Sequence, residues 1–118
     1  MNEIDNTVVL QPVGDLIVVP LKGPVSEALL DDLSTQLLKF LHENGARGVV
    51  LDMTGIELMD RQDFSDLRKV SESASLMGAP LILAGIRPGV AIGLTMLGVE
   101  DDWVHTTRTV NLALDTFA

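Results

Sequence analysis

Along the chain, short unbroken apolar runs alternate with longer stretches in which apolar residues recur at helical spacing. Val8-Val9-Leu10 and Leu16-Ile17-Val18-Val19-Pro20 are two such runs around Gly14-Asp15. That pattern predicts a hairpin, with Pro20 ending or bulging its second strand. Gly23-Pro24 then breaks the chain, and Ser26 is placed to cap a helix from Glu27 to Glu43. Leu30, Leu33, Leu37, Phe40 and Leu41 fall on one face of that helix, and Asn44-Gly45 stops it. Gly48 to Asp52 is apolar without alternation, as in a central parallel strand buried on both faces.

A second helix is expected from Asp60 to about Met77, with Phe64, Leu67, Val70, Ala74 and Met77 inward and Arg61, Ser65, Arg68 and Glu72 outward. Asp60 suits the N-cap because its carboxylate can accept from free first-turn N–H groups, and Asp63 stands at capping-box spacing. Gly78 ends this helix. Pro80 to Ala84 reads as another buried strand, and Gly85-Ile86-Arg87-Pro88-Gly89 as a turn into a third helix with Val90, Leu94 and Leu97 on its apolar side. Trp103-Val104-His105 is expected as an edge strand. Thr106 or Thr107 would cap a last helix that turns Val110, Ala113, Leu114 and Phe117 inward. The order β-β-α-β-α-β-α-β-α predicts an α/β fold with a mostly parallel sheet of four to five strands covered by about four helices.

Composition narrows the function classes. A chain of 118 residues with 47% apolar residues fits one domain with its own core. The absence of cysteine excludes disulfides and thiol catalysis, and fits a cytoplasmic setting. A formal charge of −9, with its eight basic residues scattered, argues against nucleic acid as a partner. Met1 to Asp5 is acidic and lacks the apolar core of a signal peptide, and no run is long enough for a membrane span. Asp31-Asp32 and Glu100-Asp101-Asp102 read as solvated charge. His42 suits a helix end and His105 a strand edge, so no metal site is expected. No P-loop, GxSxG elbow or GxGxxG is present, and no nucleophile stands beside a base. On these grounds the chain is not expected to be an enzyme or to need a cofactor.

Two stretches carry a resemblance. Leu51-Asp52-Met53-Thr54-Gly55-Ile56-Glu57-Leu58-Met59-Asp60 resembles the strand–loop–helix signature of STAS domains, the anti-sigma-factor-antagonist family. Gly85-Ile86-Arg87-Pro88-Gly89-Val90-Ala91-Ile92-Gly93-Leu94-Thr95-Met96-Leu97-Gly98 resembles the stressosome scaffold branch, the small single-domain proteins of the RsbS type. The resemblance covers nearly the whole chain as a single STAS domain. It implies a non-enzymatic protein that binds a serine/threonine switch kinase and related STAS proteins in a homo- or hetero-oligomer, released by phosphorylation at a helix start. The expected binding and regulatory face is Asp60, Arg61, Gln62, Ser65 and Arg68.

The chain departs from that pattern at the residues that matter for switching. The Ser or Thr acceptor of the family follows the capping aspartate, and here that position is Arg61. A second acceptor position, before the Gly-Ile turn, is Ala84. The favoured expectation is therefore a scaffold that binds without a phospho-switch at Asp60-Arg61. An alternative keeps a switch at Ser65, one turn along the same face. Another makes the domain a small-ligand module using the turn at Gly85, Arg87 and Pro88, with Arg87 contacting an anion.

Overall fold

The computed structural model describes residues 8–118. The acidic start Met1 to Asp5 lies outside the described residues. The elements run β1 (Gln11–Val13), β2 (Leu16–Lys22), α1 (Glu27–Asn44), β3 (Gly48–Gly55), α2 (Arg61–Leu76), β4 (Leu81–Ala84), α3 (Pro88–Met96), β5 (Thr106–Thr107) and α4 (Val110–Thr116). They form one five-stranded sheet in the order β1-β2-β3-β4-β5, antiparallel only between β1 and β2. The expected α/β architecture is therefore present, with five strands and four helices.

Alternation along β3 divides the core. Val49, Leu51 and Met53 join Ile17, Val19 and Leu21 under the leucines of α1 and the Phe64, Leu67, Val70 and Ala74 face of α2. Val50 points the other way, into a smaller cluster with Val18, Ile82, Ala84 and Ala113, closed by Val110, Leu114 and Phe117 of α4. This is the burial on both faces expected of a central parallel strand. Each fully buried leucine there contributes roughly 1.5–3 kcal/mol of transfer free energy. Ser26 caps α1 as expected, its hydroxyl accepting from the Leu29 N–H at 3.1 Å.

Several boundaries move. The first strand is Gln11–Val13 and not Val8 to Leu10, because the tight turn at Gly14-Asp15 sets Val13 opposite Leu16 and Pro12 is tolerated on an edge. Val8 instead buries its side chain and donates its N–H to Asp32 at 2.8 Å, so Asp32 is not merely solvated charge. β2 runs past Pro20 to Lys22, with a register shift between those two residues. β3 runs three residues past Asp52. Met77 is the C-cap of α2 and is 38% exposed, not inward, because the helix has already ended there.

The edge strand is Thr106–Thr107, not Trp103 to His105. Trp103 is held in the preceding turn by its indole N–H donating to the Glu100 carbonyl, and His105 offers only its carbonyl to the Leu83 N–H. The last helix is capped by Thr109, whose hydroxyl accepts from the Leu112 N–H, since Thr106 and Thr107 are used in the strand.

Candidate functional site at the α2–α3 corner

β3 delivers the chain out of the core at Gly55, and the next five residues lead to α2. Asp52 begins the exit: one of its carboxylate oxygens accepts from both the backbone N–H and the hydroxyl of Thr54, at 3.1 and 2.8 Å. Ile56 and Met59 are buried and anchor the loop, while Glu57, Leu58 and Asp60 face solvent. Asp60 then caps α2. Its Oδ1 accepts from the Asp63 N–H at 2.8 Å, and Asp63 Oδ2 accepts from the Asp60 N–H at 3.0 Å. This is a complete capping box with aspartate in the usual glutamate place, as the spacing suggested. Partial burial pushes the Asp63 carboxyl above its ordinary pKa. The hydrogen bond from the Asp60 N–H opposes that shift, and the carboxylates of Asp60 and Asp66 add to it.

Arg61 is the first residue of α2, and its guanidinium donates to the carbonyl of Leu97, the C-cap residue of α3. A cation there meets an orphan carbonyl and the negative end of the helix dipole. Gln62 points away and donates to Asp66 at 2.9 Å. Ser65 is exposed and lies in a shallow groove of about 210 Å³, together with Arg61, Phe64, Arg68, Glu100 and Trp103. Arg68 pairs with Glu72 at 3.1 Å. That hydrogen bond, with Asp102 and Glu100 nearby, holds its guanidinium still more firmly protonated. The five face residues expected from the sequence thus lie on the N-cap and first two turns or so of α2, and of their side chains only Arg61 hydrogen-bonds a neighbouring element.

The turn expected to hold a small anion looks different. Gly85 takes a left-handed φ of 73° and packs so tightly that a Cβ would lie 2.5 Å from the Thr54 methyl, so its glycine serves the turn. Arg87 is the exposed N-cap of α3, makes no side-chain cap hydrogen bond, and is followed by Pro88 at N1. A groove of about 820 Å³ lies between Ala91, Leu94 and Thr95 of α3 and the Thr106 to Thr109 strand and turn, and Arg87 does not line it. Among the described residues no group of three or more His, Asp or Glu could hold a metal ion, and no helix is long and apolar enough to cross a membrane.

Sequence reasoning missed a feature of α3. Between Glu72 and Glu100 the one charged residue is Arg87. The apolar residues of α3 are spread around the helix, yet only Val90 is buried. Ile92 and Met96, one turn apart, are 56% and 80% exposed, and Leu58 of the loop is 73% exposed. Leu58 reaches over Gly89, where a Cβ would lie 3.2 Å from its terminal methyl. Together these side chains form a charge-free apolar face beside the α2 cap, the kind of patch that marks interaction sites. A helical segment with no polar face was the available signal, since such a helix is either buried or partnered.

A STAS-domain family model matches residues 6–113. The chain belongs to the STAS-domain family. Among solved structures, this STAS domain is similar to a serine-to-glutamate form of RsbS from Moorella thermoacetica, with 28% identity, 93% of each chain covered and a TM-score of 0.78. It is also similar to a chain in a structure described as the molecular architecture of the stressosome, a signal integration and transduction hub. That match has 28% identity, covers 92% of this chain and 95% of the other, and has a TM-score of 0.75. Among curated relatives, it is 28% identical over 102 residues to the RsbT co-antagonist protein RsbRA of Bacillus subtilis, covering 86% of this chain. This STAS domain spans 37% and 38% of the length of RsbRA and RsbRD, just over a third of these relatives.

Proposed function

We propose that this STAS domain is a non-enzymatic interaction module of stressosome-type stress signalling, working in the cytoplasm. It binds a serine/threonine switch kinase and related STAS proteins in a homo- or hetero-oligomer. The observation that carries this reading is the charge-free face of Leu58, Ile92 and Met96 beside the capped start of α2. Similarity to RsbS, to a stressosome chain and to RsbT co-antagonist proteins supports the choice of partners. Exposed apolar side chains one turn apart on a short helix can supply the dry centre of an interface, and methionine adapts to imperfectly matched partners. Exposed Glu57 and Asp60 flank Leu58 along the chain and Arg87 precedes α3, so the partner surface that fits best has an apolar centre and charges of both signs at its edge.

The same geometry favours binding without a phospho-switch. A phosphoryl group at a helix start would add about −1.5 to −2 charges and break a packed interface. Position 61 offers a guanidinium, not a hydroxyl, and position 84 a buried alanine methyl. Ser65 is exposed enough to be modified, but it lies a turn inside α2, next to Asp66 and in a groove that includes Glu100.

Size-exclusion chromatography with light scattering, on the chain mixed with a related STAS protein, tests the assignment. Co-elution is expected, and Met96→Glu should abolish it while leaving the melting temperature nearly unchanged. A chain that stays monomeric beside every related STAS protein and switch kinase tried would refute the reading. Intact mass after incubation with a switch kinase and ATP should show no added phosphate. A phosphate gain that Ser65→Ala removes would overturn the switch-free part and leave the interface.

A further inference from the structure

α3 is held in place by little of its own. One of its residues is buried, Leu94 and Leu97 are half-buried, and its N-cap makes no side-chain hydrogen bond. It carries no acidic residue in its first turn and no basic residue in its last to complement its dipole. Two features substitute for these. Gly89 and Gly93, one turn apart, let the helix backbone approach the loop: a Cβ would lie 2.5 Å from the Glu57 carbonyl at Gly89 and 3.4 Å from the Met59 carbonyl at Gly93. The other is Arg61, which reaches from the first turn of α2 to the C-cap carbonyl of α3 at Leu97. Its stem lies in the groove formed with Phe64, Gly98 and Val99.

We propose that Arg61 is a standing clamp on α3. It fastens the C-terminal end of that helix to the start of α2, and so keeps the Leu58–Ile92–Met96 face in its docking position without covalent modification. Arg61 acts here as a positioning residue, and its effect on binding rests on the partner-binding reading of that face. Its effect on α3 does not. The physical argument is that a helix with one buried side chain opens locally at small cost, so one charge-assisted hydrogen bond at its end shifts the open population severalfold. The same hydrogen bond on a well-packed helix would be lost within a larger sum.

Amide hydrogen exchange on the whole chain, with and without a bound related STAS protein, tests the clamp. Arg61→Met keeps an apolar stem and removes every donor. Arg61→Lys keeps a cation able to reach the same carbonyl. In Arg61→Met, the amides of residues 92–97 should exchange about tenfold faster, the effect of roughly 1.4 kcal/mol. Amides of α1 and β3 should be unchanged, and Arg61→Lys should recover most of the protection. Unchanged α3 exchange, or an equal acceleration in α1 and β3, would overturn the clamp, the second by reducing Arg61 to general stability. Faster α3 exchange with unimpaired partner binding would keep the clamp and instead refute this face as the docking surface. Loss of both in Arg61→Met, and recovery of both in Arg61→Lys, is the expected result.

Discussion

Helices α2 and α3 meet at one corner of the molecule and are held there by different means. α2 has a cap that satisfies two backbone donors, a buried stripe of Phe64, Leu67, Val70 and Ala74, and a polar outer face with an Arg68–Glu72 pair. Core packing fixes it and leaves water nothing apolar to meet until Leu76. α3 has an uncapped start, one buried side chain and apolar residues turned to solvent. Its place is fixed by Val90, with Leu94 and Leu97 half-buried against the same core, by close backbone approach, and by one arginine from α2. The core therefore fixes the first helix along its whole buried stripe, whereas it holds the second through fewer side chains, with the first helix adding a contact at its end. A face built this way costs little folding free energy to alter, which suits the docking role proposed for it.

The comparison is tested most severely by deleting side chains. Leu67 is fully buried, so Leu67→Ala should lose about 2–5 kcal/mol of unfolding free energy in urea. Met96→Ala on α3 should stay within about 0.5 kcal/mol, because most of that side chain is already in water. A loss of similar size at both sites would mean that α3 packs into the core as α2 does.

Backbone approach comes next. Gly89→Ala places a methyl 2.5 Å from a backbone oxygen that cannot easily yield, and should cost about 1–3 kcal/mol. Gly93→Ala meets only ordinary contact at 3.4 Å and gains helix propensity, so it should be neutral or stabilising by up to about 1 kcal/mol. Opposite signs at neighbouring turns of one helix, read from thermal midpoints, would show that α3 docks along its Gly89 side. Equal signs would remove that account.

Capping gives smaller and opposite effects in the two helices. Asp60→Ala should cost about 1 kcal/mol by stripping the box. Arg87 already has the extended backbone of an N-cap, with φ −81° and ψ 156°, but no side-chain hydrogen bond. Arg87→Asp should therefore gain about 0.5–1 kcal/mol, measurable by chemical denaturation.

The same contrast explains what could be read from the residues alone. α1 and α2 were legible because one buried face imposes a helical period, β3 and β4 because burial on both faces leaves an unbroken apolar run, and Ser26 and Asp60 announced their helices. The last third of the chain was less so. Trp103 and Val104 look like strand residues, yet the indole hydrogen bond to Glu100 keeps them in a turn and passes the edge pairing on to Thr106 and Thr107. At the site, the Asp60–Asp63 box and the missing hydroxyl at position 61 were visible as residue types. The Arg61 to Leu97 contact was not, because it joins residues 36 apart, and nothing local marks a backbone acceptor. The exposed face of Ile92 and Met96 was passed over because the reading of α3 stopped at its inward side of Val90, Leu94 and Leu97.

The smallest effect separates the two helices by charge. α3 and its C-cap, from Pro88 to Leu97, contain no titratable side chain, whereas the first turn of α2 contains Asp60 and Asp63, with Asp66 on the next turn. Partial burial raises the Asp63 pKa in the folded state, and the two neighbouring carboxylates add to the rise. A folded pKa above the unfolded one means that the native state holds the proton more tightly. Stability then falls as pH rises, starting near the ordinary value of 3.8 and levelling off above the raised folded value. Asp63→Asn keeps an oxygen able to accept from the Asp60 N–H and removes the charge, so it should flatten that acid-range slope. Asp15 works in the opposite sense: the Arg47 hydrogen bond lowers its pKa, and its contribution is lost as pH falls through that lowered value. The measurement is therefore a difference between Asp63→Asn and the unaltered chain, in which the Asp15 contribution cancels. A carboxyl NMR titration of Asp63 should place its midpoint above that of Asp15. If the two variants show the same slope while Asp63 titrates at its ordinary value, the α2 start is more fully solvated than its capping box implies, and the contrast with α3 rests on packing alone.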